Sequence, residues 1–356
     1  MNAVLKRRLF TPGPVQMSPE VLALGGEQVP YFRNAEFSAV LQECEQRLLD
    51  LVGAASGSRV IFLAGSGTLA MESVVVNLLS PHGRAAVVNG GTFGARFLDL
   101  CSAHHRPVQE VPVDRHALTD WAPLAAVGSI DALLVTGHET SIGHLHDLES
   151  TGRFCRQRGC LHVVDGISLF VTDPIDMRKQ AIDALLVSSH KGLALPPGLA
   201  LVILSPEAIH RIQPQPGSLY LDFHRYLEDG LRGQTPFTPP VAIILQLRAR
   251  LEQLQREGMA SAIAQAEALA GHFRQGFQGL PLRPYSRHMP NAMTALEVLG
   301  PVPAHRVVQA LETDHGCVVA PNGGALRDRV FRVGHMGHLA LEDVDRLLAG
   351  LKAVLG

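Results

Sequence analysis

Between Val60 and Leu204 the chain alternates short β-branched or apolar runs with longer amphipathic stretches, which restricts it to an α/β architecture with a largely parallel sheet. The runs are "RVIFLAG", "RAAVVNGG", "DALLVTGHE", "LHVVDGIS", "DALLVSSHKG" and "LALVILSP". They read as strands, and "SGTLAMESVVVNLLS", "TFGARFLDLCSAHH" and "LESTGRFCRQRGC" between them read as helices. In an open parallel sheet a ligand sits beyond the carboxyl ends of the strands. The residues that follow each apolar run are therefore the candidates for chemistry.

Downstream, "GQTPFTPPVAII" interrupts the alternation with prolines and opens a long helical pattern, "LQLRARLEQLQREGMASAIAQAEALAGHFRQGF". A division there gives an N-terminal segment and large domain over residues 1–245 and a smaller α+β domain over 246–356. In the latter "NAMTALEVL", "GCVVAP" and "RVFRVGHMG" read as strands, and "PAHRVVQALETDH" and "LEDVDRLLAGLKAVL" as helices. A length of 356 residues suits this division, since domains average ~150 residues.

Charge and composition exclude several classes. Lys and Arg number 31 against 33 Asp and Glu, a net charge of −2. The basic residues are scattered, so neither nucleic acid nor an anionic membrane surface is an expected partner. No apolar stretch approaches the ~20 residues that span a bilayer. The opening "MNAVLKRRLFTPGP" is polar and broken by proline where an export signal needs an apolar stretch. The five cysteines are odd in number and lie in apolar or helical contexts, as reduced thiols do. A cytoplasmic protein acting on small molecules is expected.

Three strand ends carry chemistry. "FLAGSGTLAMES" is strand, glycine-containing turn and helix, so Ser66, Gly67 and Thr68 would present backbone N–H groups and hydroxyls at a helix N-terminus, an arrangement that attracts phosphate. Read alone, the same stretch is a tight turn with an N-cap. "LHVVDGIS" ends a buried strand on Asp165, whose carboxylate needs a partner to offset its desolvation, unless it merely caps the next helix. "LLVSSHKG" ends on Lys191. Burial there would lower the amine's pKa and leave a neutral nucleophile for a carbonyl; a lone lysine at a sheet rim otherwise snorkels to water. Together the three match what pyridoxal phosphate needs: a held phosphate, a protonated ring nitrogen opposite Asp165, and an aldehyde captured by Lys191.

In order along the chain, "LFTPGPVQMSPEV", "GSGTLAMES", "NGGTFGARF", "HETSIGHLHDL", "VVDGISLF", "VSSHKGLALPPGLALV", "TPFTPPVAII" and "FRVGHMG" resemble segments of the class V aminotransferases of fold type I, from about Leu9 to the C-terminus. The resemblance is nearest to the alanine–glyoxylate, serine–pyruvate and 2-aminoethylphosphonate–pyruvate transaminases. It implies a pyridoxal phosphate enzyme with a large mostly parallel domain, a smaller α+β domain and a homodimer with shared sites. It also implies transfer of an amino group from a small amino acid to glyoxylate or pyruvate by a ping-pong mechanism.

On this resemblance Lys191 is the Schiff-base lysine and Asp165 the partner of the pyridine nitrogen. Phe93 stands where the family stacks an aromatic ring, and Thr140 near the ring hydroxyl. Ser188 and His190 border the phosphate with Ser66, Gly67 and Thr68, while Thr235 and Thr238 reach it from the neighbouring subunit. Arg332 matches the arginine that binds the substrate carboxylate, a task its planar fork suits. The loop "YFRNAEF" departs from the family pattern, with Phe32 where relatives often have histidine.

Other readings compete. His138, His144, His146 and Asp147 in "HETSIGHLHD" form a possible zinc cluster, but no second compact group of ligands accompanies them. A desulfurase-type thiol enzyme needs an exposed cysteine, whereas Cys317 sits in the apolar run "HGCVVAP". A dinucleotide-binding oxidoreductase needs a G-x-G-x-x-G turn, and "AGSGTLAMES" lacks that spacing. Within the transaminases, a 2-aminoethylphosphonate donor is the alternative to an amino acid, because a guanidinium pairs with phosphonate as well as carboxylate.

Overall fold

The computed structural model describes residues 7–113 and 122–356, so the part of the opening segment at residues 1–6 lies outside the described residues. Seven strands form the main sheet: β1 (Arg59–Gly65), β2 (Ala85–Asn89), β3 (Val108–Pro112), β4 (Ala132–Thr136), β5 (Leu161–Asp165), β6 (Ala184–Ser188) and β7 (Gly198–Leu204). Their order is β1-β7-β6-β5-β4-β2-β3. All run parallel except β7, which is antiparallel to both β1 and β6. Six of the strands coincide with the apolar runs. The seventh, β3, is an edge strand that buries only Val111, so its sequence carries no apolar run to announce it.

Alternation along the strands splits the main sheet between two cores. Phe62, Val88, Val135, Val164, Val187 and Leu201 face helices α1 (Ala35–Leu51) and α4 (Leu148–Arg158). Ile61, Val87, Leu134, Val163, Leu186 and Val202 face α2 (Gly67–Leu78) and α3 (Thr92–Ala103). Each fully buried aliphatic side chain here contributes about 1.5–3 kcal/mol of transfer free energy. With both faces covered, the edge where the strands end is the place left open for a ligand.

The proline-rich turn leads into α5 (Val241–Glu257) and α6 (Met259–Gly276). The expected long helical pattern is thus two helices, broken at Gly258, where φ of 86° leaves the right-handed region. Helix α5 spans the 245/246 division and buries Ile244, Leu247 and Leu251 on the first face of the main sheet. A second, five-stranded sheet comprises Arg8–Phe10, Cys317–Pro321, Val330–Gly334, Met293–Val298 and Leu282–Pro284 in that order. It packs on α6, α7 (Ala304–His315) and α8 (Leu341–Leu355). Arg8–Phe10 pairs in parallel with Cys317–Val319, which brings the start of the chain to the smaller sheet. Among the described residues no helix is long and apolar enough to cross a membrane.

Candidate active site

Strands β5 and β6 lie side by side, and the chemistry sits where they end. Asp165 is the last residue of β5 and only 5% exposed. Its Oδ1 accepts the Ile167 N–H at 3.0 Å. Burial, with a smaller push from Glu139, raises its carboxyl to about 6, against the opposing pull of that hydrogen bond, Lys191 and Arg96. Lys191 follows β6 by a short turn, and its Nζ donates to the Pro12 carbonyl at 2.7 Å. Burial lowers the amine to about 8; Asp165 resists this, while Arg332 and Arg96 assist it. A desolvated amine and a desolvated carboxyl thus share one sheet edge, each with its charged form penalised.

A cavity of about 210 Å³ opens on both groups. Ser66, Gly67 and Thr68 line it at the start of α2. Ser66 stands at the N-cap position, yet its side chain makes no cap hydrogen bond, so the N-terminus of a 12-residue helix faces the cavity without a side-chain acceptor. A Cβ on Gly67 would lie 2.5 Å from Ile167 Cδ1, so a side chain there would have to displace Ile167, which also lines the cavity. Phe93, Thr140 and His190 also line the cavity. His190 Nδ1 and Ser188 Oγ are hydrogen-bonded at 2.9 Å, and burial lowers the imidazole to about 4.

Four of the residues singled out in the sequence do not line this cavity: Ser188, Thr235, Thr238 and Arg332. Ser188 reaches it only through His190. Thr235 is buried, with its hydroxyl donating to the Phe237 carbonyl at 2.7 Å, and Thr238 is exposed. Arg33, from the "YFRN" loop beside Phe32, donates to the Thr235 carbonyl at 2.8 Å and to the Pro236 carbonyl at 3.3 Å, which ties the loop to the "TPFTP" segment. Arg332 projects from the smaller sheet. Its guanidinium donates to Pro321 O at 2.8 Å and Thr140 O at 3.4 Å, while Nε is buried without a partner. Burial lowers its pKa, and no carboxylate pairs with it among the ion pairs of the described residues.

Two side chains at the site are not singled out in the sequence, although both lie inside motif segments, Arg96 in "NGGTFGARF" and Glu139 in "HETSIGHLHDL". Arg96 lines the cavity, donates to Thr68 Oγ1 at 3.1 Å and lies 4.7 Å from the centre of the Phe93 ring. Glu139 is fully buried. Its Oε2 accepts the Phe93 and Gly94 N–H groups at 3.0 Å, and its Oε1 accepts from Ser141 N and Oγ at 3.1 and 2.5 Å. The carboxylate therefore caps α3 from the short hairpin His138–Glu139 with His144–Leu145. The spacing that could have shown this is tertiary, not sequential.

The histidines of this segment lie near one another, with the His144 and His146 rings edge to face at 4.7 Å. His138 lines the cavity with both ring nitrogens buried, and burial lowers it to about 3 against the pull of the Ser168 backbone. His144 Nδ1 is 2.9 Å from Ser286 Oγ. No group of three or more His, Cys, Asp or Glu among the described residues is arranged to hold a metal. Cys317 is fully buried in a strand of the smaller sheet, and no cysteine lines the cavity.

The donors fit a phosphate-bearing aldehyde. An uncapped helix end with hydroxyls would meet the anion, the amine would meet the carbonyl, and the carboxylate would meet a protonated ring nitrogen.

A family model described as aminotransferase class-V matches residues 27–336. A protein named soluble hydrogenase, small subunit, of Synechococcus sp. is 30% identical over 98% of this chain and 93% of its own length. An alanine–glyoxylate aminotransferase of Oryctolagus cuniculus is 28% identical over 98% of this chain and 92% of its own. The crystal structure of a subgroup IV aspartate aminotransferase of Thermus thermophilus superposes with a TM-score of 0.91 at 28% identity, covering 98% of this chain and 100% of that one.

Proposed function

The chain belongs to the class-V aminotransferases, enzymes of fold type I that use pyridoxal phosphate, and from that premise we propose that it transfers an amino group from a small amino acid of the alanine or serine type to glyoxylate or pyruvate. The observation that carries the proposal is the half-buried Lys191, its amine pKa lowered by desolvation, on the same sheet edge as the buried Asp165 carboxyl and next to the uncapped start of α2. Pyridoxal phosphate supplies an electron sink for the negative charge that develops on the carbon bearing the amino group.

The chain's own residues do the rest. Ser66, Gly67 and Thr68, with His190 and Ser188, would hold the phosphate. Asp165 would keep a proton on the ring nitrogen, Phe93 would flank the ring and Thr140 would approach its hydroxyl. Lys191 would bind the aldehyde carbon and, once displaced by the donor's amine, move a proton at the donor's α-carbon. Its lowered pKa suits it to act as a base near neutral pH. Arg332, half-buried with a buried unpartnered Nε and no carboxylate ion pair, would receive the carboxylate of donor and acceptor in turn. One site serving both substrates requires a ping-pong sequence.

The proposed enzyme is a homodimer, a reading supported by an exposed apolar surface. Tyr31, Leu219, Tyr220 and Leu231 are exposed apolar side chains. Tyr220 stacks on Phe237 of the "TPFTP" segment at 4.8 Å, and Arg33 holds that segment from the loop that bears Tyr31. A second copy covering this surface would bring Thr235 and Thr238 to its own phosphate. The relative named as a hydrogenase subunit does not change the proposal, since amine chemistry is what a lysine–aspartate pair and a cavity without cysteine equip.

The test is a single-turnover screen. Alanine, serine and 2-aminoethylphosphonate are each mixed with the yellow holoenzyme and the loss of visible absorbance is followed. Rapid bleaching by alanine or serine is expected. Bleaching by the phosphonate alone would replace the donor, and no bleaching by any amine would overturn transamination by this chain. Light scattering of the holoenzyme checks the dimer, which a fully active monomer would refute.

A further inference from the structure

A side-chain cluster that the transaminase reading leaves unused lies at the other end of the main sheet. There a cavity of about 440 Å³ opens where β5 and β6 begin and β7 ends, and Cys155 and Cys160 both line it. Their proximity is written into the backbone. Helix α4 ends at Arg158, and Gly159 turns left-handed at φ 67°. The N–H groups of Gly159 and Cys160 both return to the Cys155 carbonyl, the latter at 3.2 Å. In a helix end closed this way the side chain of the accepting residue meets that of the residue after the glycine. Here both are thiols, and Cys160 Sγ lies 3.9 Å from the Cys155 carbonyl oxygen.

The surroundings divide the pair's roles. Arg211 donates to the Gly159 carbonyl at 3.1 Å, which places a guanidinium beside the turn. The neighbouring Cys155 thiol, with help from Arg211, draws Cys160 toward the thiolate against its own burial, whereas Cys155 is pushed upward by its neighbour and by burial. Asp183 works against the Cys160 thiolate, but its own oxygens are engaged by the His162 N–H at 2.9 Å and the Ser205 hydroxyl at 2.9 Å. Exposed Arg156 and Glu207 at the cavity wall open it to small solutes.

We propose that Cys155 and Cys160 are a redox-modified pair that closes to a disulfide when the protein meets a hydroperoxide. The Cys160 thiolate attacks the terminal peroxide oxygen. The O–O bond breaks, the alcohol or water fragment leaves after taking a proton, and Cys160 becomes a sulfenic acid. The Cys155 thiol then attacks that sulfur, the S–S bond forms and water leaves. Two thiols are oxidised by two electrons and one peroxide is reduced. A dithiol reductant reverses the step by exchange.

The sequence makes the test direct. Trypsin separates the two cysteines into the peptides Phe154–Arg156 and Gly159–Arg178. Wild-type holoenzyme treated with dilute hydrogen peroxide, denatured, alkylated and digested should yield these two peptides joined. It should also lose two of the five alkylatable thiols, and dithiothreitol should restore both. Cys155→Ser should instead leave Cys160 as a sulfenic acid that dimedone labels. Retention of all five thiols after treatment would overturn the proposal, as would over-oxidation of either thiol with no joined peptide. Because the main readout uses wild-type protein, a variant that fails to fold does not blunt it.

Discussion

Gly13 stands so close to Lys191 that a Cβ built on it would lie 2.4 Å from the lysine Cδ and 2.7 Å from Nζ. Its φ of +131° is also one that L side chains rarely adopt. The neighbouring Pro12 carbonyl holds the amine, so the segment that follows the first strand of the smaller sheet fixes the proposed nucleophile of the larger one. Gly13→Ala is expected to push the amine out of line, and displacements of this size cost about 10²-fold in rate. Steady-state turnover beside the melting temperature tests it, and a variant as stable and as fast as wild type would remove the constraint.

Burial lowers Lys191 from 10.5 to about 8, and only the neutral amine captures an aldehyde. Below about 8 the neutral fraction falls tenfold for each pH unit, and above 8 it is nearly complete. Uptake of pyridoxal phosphate by the apoenzyme should therefore accelerate with pH up to about 8 and then level. An unperturbed lysine would keep accelerating toward 10.5. Stopped-flow absorbance separates the two profiles.

Asp165→Asn keeps the shape of the side chain and the bond from Ile167 N–H, because the amide oxygen still accepts it. What it loses is the charge that would hold a proton on the ring nitrogen. Removing one such electrostatic partner costs about 10²–10³-fold in kcat. Cofactor should still bind. An Asn variant within a few-fold of the wild-type kcat would relieve Asp165 of this role.

The contrast between Asp165 and Glu139 shows what the sequence discloses. Asp165 and Lys191 each close an apolar run, so their position at a buried strand end is legible from the residues alone. Glu139 also follows such a run, but its significance depends on Phe93 and Gly94, which only the fold brings to it. Arg96 is hidden for the same reason, as one arginine on an amphipathic helix. Strand β3 carries no apolar run because an edge strand with one buried residue needs none. The pairing of Arg8–Phe10 with Cys317–Val319 is beyond local pattern, since the two segments stand near opposite ends of the chain. Arg332 is legible as a residue type suited to a carboxylate, whereas its lack of a carboxylate partner is a property of packing.

Glu139→Gln replaces an acceptor on one side of the carboxylate by a donor. Phe93 N–H and Gly94 N–H meet one oxygen, and Ser141 N–H and hydroxyl meet the other, so whichever way the amide turns its NH₂ faces donors. Leaving buried donors unpaired costs about 1–3 kcal/mol. Thermal unfolding of the apoenzyme should show a melting temperature lower by several degrees. An unchanged value would mean that water or a shifted backbone satisfies the helix start.

Arg96 joins two parts of the proposed cofactor site, with its guanidinium 4.7 Å from the Phe93 ring centre and hydrogen-bonded to Thr68 Oγ1 at 3.1 Å. It holds an aromatic ring at the start of α3 and a hydroxyl at the start of α2, so the ring wall and the phosphate end move as one. Arg96→Met preserves much of the apolar stem and removes both contacts. The cation–π contact is worth about 0.5–1 kcal/mol and the hydrogen bond about 0.5–1.5 kcal/mol. Without this brace the two walls must be ordered when cofactor binds, and an ordering cost of about 1.4 kcal/mol weakens binding tenfold. The positive charge itself also lowers the Lys191 pKa, so its removal should move the midpoint of the uptake profile upward. Titration of the apoenzyme with pyridoxal phosphate, repeated across pH, reads both effects. A variant with wild-type affinity and an unmoved midpoint would show that Arg96 neither braces the site nor tunes its lysine; a weakened affinity with an unmoved midpoint would leave the brace and remove the tuning.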